Sequence, residues 1–319
     1  MPLLEVKNLV KHYPGKTAFT GSSREKVRAV DGVSFSLEQG ETLGLVGESG
    51  CGKSTLGRLI VRLEEPTAGQ IFFAGEELSR ISGKELRERR RRLQIIFQDS
   101  LASLNPRRTV GALLEEPLEN FGVTAKQRQK RVQELLELVG LEAEQQRLYP
   151  HEFSGGQRQR INIARALALK PSLVVCDEPV SSLDASIRAQ ILNLLRELQK
   201  KFALSYIFIS HDLAAVIYLA DLVAVMYLGK IVELLPAGIL LSRAVHPYTQ
   251  ALLQAVPQPD PRQRGGFQQA VQGEPPDPAH PPEGCRFHPR CPAACDSCRK
   301  EEPALKEVGA EHLAACHLT

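Results

Sequence analysis

Short apolar runs alternate with stretches of helical periodicity along most of this chain. The runs at 42–46, 173–176 and 205–210 are typical of strands that are buried on both faces of a sheet. Residues 29–37 instead alternate between apolar and polar, which predicts a strand with one exposed face. Since helical segments separate the buried runs, the pattern predicts an α/β fold with a mostly parallel sheet wrapped by helices.

Residues 110–148 have a helical pattern rather than a strand pattern. Their apolar stripe repeats at spacings of three and four residues, and Gly140 follows it as a suitable C-cap. The stripe consists of Val132, Leu135, Leu136 and Val139. Because this segment interrupts the order of the strands, we expect a helical subdomain at about 99–165.

The turn between the strand at 42–46 and the apolar helix that follows has the sequence GESGCGKST, residues 47–55. It matches the phosphate-binding pattern G-x-x-x-x-G-K-[ST] in the strand–loop–helix context that this chemistry requires. Glycines let the backbone N–H groups point at phosphate oxygens, while Lys53 can reach the β and γ phosphates and Ser54 can ligate Mg²⁺. A glycine-rich turn without a ligand is the alternative. The expected nucleotide contacts are Gly47, Ser49, Gly50, Gly52, Lys53, Ser54 and Thr55.

Two carboxylates, Asp177 and Glu178, end the buried run that begins at 173. Acids at the carboxyl end of a parallel strand can hold Mg²⁺ and polarise an attacking water. The alternative is an acidic pair that only caps a strand. No N-K-x-D segment is present to bind guanine, so the pattern favours ATP hydrolysis over GTP hydrolysis.

Composition narrows the class of protein only slightly. The chain has 319 residues, of which 24% are charged and 43% are apolar, and its net charge of +3 is too small to imply nucleic acid by itself. No apolar run approaches the roughly 18 residues of a membrane span, and we expect a cytoplasmic protein without a signal peptide. The basic run 87–92 predicts a solvated helix face, with lipid headgroups or an acidic partner as alternatives.

The C-terminal part, residues 236–319, differs from the rest in its prolines and cysteines. Ten of the 21 prolines fall between Pro257 and Pro292, which predicts an extended segment that wraps or docks. Five of the seven cysteines also lie in this part. In a cytosolic chain such a group favours metal binding over disulfides, with reduced surface cysteines as the alternative.

Several further motifs follow the phosphate loop in a specific order. They are Gln98 (Q-loop), Phe153-Ser154-Gly155-Gly156-Gln157 (signature), Asp177-Glu178 (Walker B and catalytic Glu), Ser182-Leu183-Asp184 (D-loop) and His211 (switch His). With the phosphate loop as Walker A, the set resembles the nucleotide-binding subunit of an ABC transporter over residues 1 to about 235. The resemblance implies a P-loop NTPase cassette with a RecA-like core, an antiparallel β subdomain and a helical subdomain. Phe153 departs mildly from the family pattern, in which leucine is commonest.

The resemblance also implies roles around one MgATP. Ser54, Gln98 and Asp177 are expected around Mg²⁺, Glu178 is expected as the general base, and His211 is expected to hold the γ-phosphate and orient the water. Tyr13 is the candidate for stacking on adenine, and Phe19 is its competitor.

In this family a second subunit completes each site. Ser154, Gly155, Gly156 and Gln157 are expected to act on the nucleotide that the partner holds, and Asp184 is expected to join the nucleotide-binding residues. Two subunits thus enclose two ATP molecules, and closure of the dimer drives the membrane subunits.

The C-terminal part resembles a narrower group. His246-Pro247-Tyr248 and the segment 285–292, CRFHPRCP, are similar to the ATPases of oligopeptide and dipeptide importers, and residues around the phosphate loop resemble the F subunit. The group implies a homologous D-type ATPase partner, two permease subunits and, indirectly, a solute-binding protein at the inner membrane. Members of this group resemble proteins that bind a [4Fe–4S] cluster, and the matching residues here are Cys285, Cys291, Cys298 and Cys316. Cys295 in place of Cys298 is one alternative ligand, and zinc is an alternative to the cluster.

Other functions remain open from the sequence. Importers of nickel, glutathione or other small solutes share this type of ATPase, so peptide cargo is the expectation and not a deduction. A soluble ABC ATPase acting on DNA or ribosomes is a rival, but long heptad insertions and tandem cassettes are absent. A regulatory subunit that does not hydrolyse ATP is disfavoured by the intact Glu178, His211 and signature.

Overall fold

The computed structural model describes residues 1–14, 26–255 and 273–319. Its strands are β1 (Leu4–Pro14), β2 (Lys26–Leu37), β3 (Thr42–Val46), β4 (Ala68–Phe73), β5 (Glu76–Glu77), β6 (Leu93–Ile96), β7 (Leu173–Asp177), β8 (Ser205–Ile209), β9 (Leu222–Tyr227), β10 (Lys230–Pro236), β11 (Lys306–Gly309) and β12 (His312–Ala314). Its α-helices are α1 (Lys53–Ile60), α2 (Gly83–Arg90), α3 (Val110–Asn120), α4 (Ala125–Leu138), α5 (Gly155–Leu167), α6 (Ala185–Phe202), α7 (Leu213–Leu219), α8 (Leu240–Arg243), α9 (Pro247–Gln254) and α10 (Asp296–Lys300).

These elements form two compact units. Unit 1 contains residues 1–38, 42–80 and 211–319, and unit 2 contains residues 39–41 and 81–210. The phosphate loop and the C-terminal part therefore lie in unit 1. The signature segment and the two carboxylates lie in unit 2.

Unit 1 contains an antiparallel sheet in the order β2-β1-β4-β5. In its register Leu4 lies opposite Leu37 on one side and Phe73 on the other, and all three side chains are buried. This sheet is the expected antiparallel β subdomain. In the same unit β3 and β9 are parallel, with Leu43 opposite Leu222, whereas β9, β10, β12 and β11 are antiparallel neighbours in that order.

Unit 2 contains the parallel strands β6, β7 and β8, with Leu93 opposite Leu173 and Leu173 opposite Ser205. Every residue of β7 and β8 is buried, as the continuous apolar runs predicted. Helices α3, α4 and α5 pack together, and Val132, Leu135, Leu136 and Val139 are inaccessible to solvent. The expected helical stripe and the expected parallel strands are both confirmed.

The C-terminal part contains regular structure after its proline-dense segment. Between 273 and 292 the chain is irregular except for one 3₁₀ turn at His288–Arg290, but α10, β11 and β12 follow. Strand β12 pairs with β10, so Ala314 lies opposite Glu233. This hairpin was not predicted, because β11 is fully exposed and only three residues form β12. Residues 256–272, which contain three of the ten prolines, lie outside the described residues.

Within 1–14, 26–255 and 273–319, no helix combines the length and the hydropathy that a membrane crossing requires.

Candidate functional site

The phosphate loop leaves the buried strand β3 and enters α1. Gly52 is the N-cap of α1 with a left-handed φ of 109°, and Gly47 has a φ of 148°. A Cβ on Gly47 would lie 2.1 Å from the carbonyl oxygen of Met226, and one on Gly52 would lie 2.0 Å from that of Ala29. Both positions therefore require glycine for backbone conformation and for space.

Lys53 turns its ammonium group back into the curl of this loop. Its Nζ donates to the carbonyl oxygens of Gly47 at 2.7 Å and Glu48 at 2.8 Å, and it lies 3.7 Å from the Sγ of Cys51. Burial raises the pKa of the Cys51 thiol, so the thiol is neutral and fills space beside the cation. Phosphate oxygens are acceptors that can replace these carbonyls, which fits the role expected for Lys53.

Tyr13, the candidate adenine contact, lies in unit 1 near the same helix. Its hydroxyl bonds to the carboxylate of Glu64 and to the side chain of Thr55, and the ammonium of Lys11 lies 5.0 Å from the ring centroid. Burial and the bond to Glu64 raise the pKa of Tyr13. The competing residue, Phe19, lies outside the described residues.

In unit 2 the end of β7 carries the two carboxylates. Asp177 is 3% exposed, and Glu178 has a left-handed φ of 47°, a strained backbone conformation for a residue with a side chain. The Nε2 of Gln98 donates to Glu178 Oε2 at 2.9 Å, although the two residues are 80 positions apart. The structure therefore joins the Q-loop glutamine to the expected base.

The signature segment caps a helix. Ser154 is the N-cap of α5, and its Oγ accepts from the backbone N–H of Gln157 at 3.3 Å. The side chain of Gln157 accepts from the Ser154 N–H in return, so Gln157 completes a capping box. A Cβ on Gly156 would lie 2.5 Å from Cγ2 of Ile187, so this glycine lets α5 pack closely on α6. Gly155 follows Ser154 and begins α5.

The D-loop and switch residues also lie at helix starts. Asp184 is the N-cap of α6, where its Oδ1 accepts from the N–H of Ile187 at 2.9 Å. His211 is exposed in unit 1 and precedes Asp212, whose side chain caps α7. Asp184 thus has a structural role at the helix start beside any role toward nucleotide.

Glu48 occupies a variable position of the phosphate-loop pattern, so the pattern predicts no role for it. Arg290 in the C-terminal part binds both carboxylate oxygens of Glu48, at 2.8 Å each. The backbone N–H of Glu48 donates to the hydroxyl of Tyr248 at 2.8 Å. The only sequence signal for Arg290 and Tyr248 was the similarity of 246–248 and 285–292 to the importer ATPases, and this similarity did not indicate what the two segments contact.

The cysteines of the C-terminal part lie near one another without forming a tight group. Burial raises the pKa of the Cys285 thiol to about 11, and the nearby thiols of Cys298, Cys316 and Cys291 add to the rise. The Sγ atoms of Cys295 and Cys298 are 3.4 Å apart. Among the described residues, however, no three His, Cys, Asp or Glu side chains form a group that could hold a metal ion. The predicted metal site is therefore not supported by this geometry.

Known protein families match both the N-terminal part of the chain and its C-terminal part. The ABC transporter family model matches residues 30–181, and the model for the oligopeptide/dipeptide transporter C-terminal region matches residues 232–298. Among solved structures, a dimeric post-hydrolysis form of the ATP-binding cassette MJ0796 bound to ADP and Pi is 27% identical, with a TM-score of 0.65 over 76% of this chain and 100% of that chain. The cassette cbiO1 of Clostridium perfringens, part of the transporter complex cbiONQ, is also 27% identical, with a TM-score of 0.64 over 74% of this chain and 89% of that one.

The fold, the motifs and these matches define an ATPase of the ABC transporter class. Curated relatives narrow the class further. A probable peptide ABC transporter ATP-binding protein, y4tS of Sinorhizobium fredii, is 52% identical over 99% of this chain and 90% of its own length. The oligopeptide transport ATP-binding protein AppF of Bacillus subtilis is 50% identical over 99% and 97%. The chain belongs to the family of peptide ABC transporter ATP-binding subunits, which confirms the resemblance stated from the motifs.

Proposed function

We propose that this chain hydrolyses MgATP to energise the import of dipeptides and oligopeptides at the cytoplasmic face of the inner membrane. The observation that carries the proposal is the identity of about half of all residues, over 99% of the chain, with proteins named for peptide transport. The match of residues 232–298 to the oligopeptide/dipeptide transporter region supports the same cargo class.

The chemistry rests on positioning and on charge neutralisation, because phosphoryl transfer requires little else from the protein. The loop N–H groups and Lys53 bind the β and γ phosphates. Ser54, Gln98 and Asp177 supply the oxygen ligands that suit Mg²⁺, which neutralises phosphate charge when it is bound. The hydrogen bond from Gln98 to Glu178 supports a shared role for these two residues.

Glu178 acts as the general base in this proposal and takes a proton from the attacking water on a carboxylate oxygen. The strained backbone at Glu178 supports this role, since such conformations persist at functional sites where the surroundings fix them. His211 orients the water and contacts the γ-phosphate, Tyr13 stacks on adenine, and Asp184 contributes to nucleotide binding.

A second, homologous ATPase subunit completes each site. Ser154 and Gly155 present the N-terminal end of a 13-residue helix, and Ser154 is exposed, which supports an interaction with the phosphates of a partner's nucleotide. We expect a heterodimer that contacts two permease subunits and, indirectly, a solute-binding protein, without nucleic acid. Closure of the dimer on ATP moves the permease between access states.

Reconstitution of the chain with its ATPase partner, permease subunits and binding protein tests the proposal. We expect ATP hydrolysis that is stimulated by peptide and accompanied by peptide uptake, and Glu178→Gln serves as the matched inactive control. Stimulation by nickel or glutathione alone would show that the cargo is that solute and not peptide. Failure to associate with the permease subunits would instead support a soluble ABC ATPase.

We also propose a [4Fe–4S] cluster on Cys285, Cys291, Cys298 and Cys316. The N–H of Cys285 donates to the carbonyl oxygen of Cys298 at 2.8 Å, which supports a shared neighbourhood for these two residues. A single zinc ion, with Zn–S bonds of about 2.3 Å, needs its four thiolates within about 4 Å of one another, whereas the cubane binds one thiolate at each of four irons and requires wider spacing. Zinc on the same thiolates is therefore the alternative that metal analysis must distinguish from the cluster.

Anaerobic purification with visible absorption and iron and zinc analysis tests this cofactor. We expect about four irons per chain and a brown protein, with loss of colour in Cys298→Ser and retention in Cys295→Ser. The opposite pattern would show that Cys295, and not Cys298, is the ligand. A colourless protein without iron would contradict the cluster.

A further inference from the structure

Two segments of the C-terminal part converge on one residue of the phosphate loop. We propose that Arg290 and Tyr248 are positioning residues of the ATP site, which act through Glu48 to hold the loop in its phosphate-binding form. This inference rests on the proposed function, because it assigns to the family-specific C-terminal part a role in nucleotide binding. No contact of Arg290 or Tyr248 with nucleotide is required.

Each polar group of Glu48 is engaged. Its carboxylate accepts two bonds from the guanidinium of Arg290, and its N–H donates to Tyr248. Its carbonyl oxygen accepts from Lys53 Nζ at 2.8 Å and from the N–H of Cys51 at 3.3 Å. One residue therefore connects the C-terminal part to the lysine that binds phosphate.

The Arg290 side chain is itself held in place. It is 6% exposed, its Nη1 lies 3.3 Å from the hydroxyl of Tyr227, and its guanidinium carbon lies 5.9 Å from the centroid of that ring. The carboxylate partner, Glu48, has a side chain that is 26% exposed. A bidentate pair with one partner so well buried is stronger and more directional than an exposed ion pair.

Tyr248 is fixed by the residues that precede it. His246 is the N-cap of α9, where its Nδ1 accepts from the Tyr248 N–H at 3.1 Å, and Pro247 occupies the first helical position. The Tyr248 ring has no exposed surface and lies 4.6 Å from the ring of Tyr227 and 5.3 Å from that of Phe287, between centroids. The His-Pro-Tyr segment thus sets the direction of one hydroxyl, which accepts from the phosphate loop.

The contacts of Glu48 preorganise the phosphate loop for binding ATP. Gly47 and Glu48 form the first turn of the loop, and their carbonyls fix Lys53. When the side chain and N–H of Glu48 are held from outside, the loop loses less conformational freedom as phosphates bind. The phosphate-loop pattern leaves this position variable, so the pattern alone does not explain a carboxylate here. Binding to Arg290 does explain it.

Nucleotide affinity separates this role from a purely structural one. In the full chain we expect Arg290→Ala to raise the Kd for ATP by about tenfold, since truncating one partner of a hydrogen-bonded charge pair frees the other. In the reconstituted complex KM for ATP should rise similarly while kcat stays within about twofold. Arg290→Lys should lie between, because lysine supplies charge without the fork. Tyr248→Phe, which removes one oxygen, should raise the Kd by about threefold.

Glu302→Gln is the matched control. It removes another ion pair between the C-terminal part and the rest of unit 1, from Glu302 to Lys230, without any contact to the phosphate loop. We expect its Kd for ATP to equal that of the unchanged protein. Glu48→Ala should match Arg290→Ala, and the double variant should be no weaker than either single variant, since the pair acts as one unit.

Three results would overturn the inference. They are an unchanged Kd in a folded Arg290→Ala or Arg290→Lys, an equal loss in Glu302→Gln, and fully additive losses in the Glu48/Arg290 double variant. Circular dichroism and thermal unfolding establish folding for each variant, and Arg290→Lys and Tyr248→Phe keep the test valid if alanine prevents folding. If the unchanged protein fails to bind ATP, the proposed function fails. If it binds ATP and Arg290→Ala binds equally, only this inference fails.

Discussion

Two glycine-rich segments, 47–55 and 153–157, each lead into a helix, but their helix N-termini are built differently. In the first, the N-cap is Gly52, which has no side chain to bond the first-turn N–H groups, and left-handed glycines curl the backbone. In the second, Ser154 and Gln157 cap their own helix, and Gly156 is set by packing on Ile187. The first segment is shaped for a ligand by its backbone, whereas the second is a stable helix start that offers an exposed serine.

The difference teaches how one pattern, glycines before a helix, can serve two purposes. In segment 47–55 the restraints come from distant parts of unit 1, including Arg290, Met226 and Ala29. In segment 153–157 the capping bonds are local, and the Ser154 bond to the Gln157 N–H is long, at 3.3 Å. The Ser154 Oγ accepts this bond, so the hydroxyl hydrogen of the exposed side chain remains available as a donor.

The largest expected effect separates ATP binding from ATP hydrolysis. Glu178→Gln should lower ATP hydrolysis by about 10²-fold or more because an amide cannot accept the proton of the attacking water. ATP binding should be nearly unchanged. Steady-state hydrolysis with the partner subunit and equilibrium nucleotide binding measure the two quantities. Near-normal turnover would show that Glu178 is not the base.

The next effect tests the backbone shape of segment 47–55. Gly47→Ala should lower ATP affinity by at least about tenfold, because its Cβ would meet the Met226 carbonyl and its φ is unfavourable for alanine. Fluorescent nucleotide binding measures the change. Gly238→Ala is the control, since a Cβ at Gly238 would have no atom within 4 Å. Unchanged ATP affinity in Gly47→Ala would show that the backbone shape of segment 47–55 does not determine nucleotide binding.

A smaller and more selective effect is expected at Ser154. Ser154→Ala should lower hydrolysis in the dimer by about tenfold, the net value of one hydrogen bond, and should leave ATP affinity of the isolated chain unchanged. Loss of the cap should cost about 1 kcal/mol of stability. Ser154→Thr, which keeps the hydroxyl, should restore both quantities in part. Weaker ATP binding by the isolated Ser154→Ala chain would contradict a role toward the partner's nucleotide.

The smallest expected effect is on stability alone. Gly156→Ala should destabilise the protein by about 1–3 kcal/mol because its Cβ would lie 2.5 Å from Ile187 Cγ2. Adding Ile187→Ala should recover part of this loss by making room. Denaturant unfolding of the two variants and of Ile187→Ala alone measures the coupling. Additive losses would show that packing on α6 does not select this glycine.

Local patterns predicted the strands that bear the site. Strand β3 has the predicted bounds, and β7 ends at Asp177. These predictions succeeded because their determinants are consecutive or lie within one helical turn. The hairpin of β11 and β12, which follows the proline-dense segment, was not predicted, because both strands are short and the pairing of β12 with β10 joins residues distant in sequence.

The cysteine group shows a different limit. The number of cysteines and the resemblance to the importer ATPases indicated four ligands, but neither determines how far apart the thiols lie. The structure places the Sγ atoms of Cys295 and Cys298 3.4 Å apart, without a tight metal-binding group among residues 1–14, 26–255 and 273–319. Distances between side chains, which the chain order leaves open, decide which cofactor a group can hold.

The sequence by itself determined the family, the phosphate loop and the order of the catalytic motifs, because each is a contiguous pattern with its own chemistry. Only the tertiary structure decided which residues hold those motifs in place. Glu48 and Arg290 are 242 positions apart, and a single glutamate and a single arginine carry no signal that they form a pair. Such partners become visible only when the folded chain brings their charges to hydrogen-bond distance.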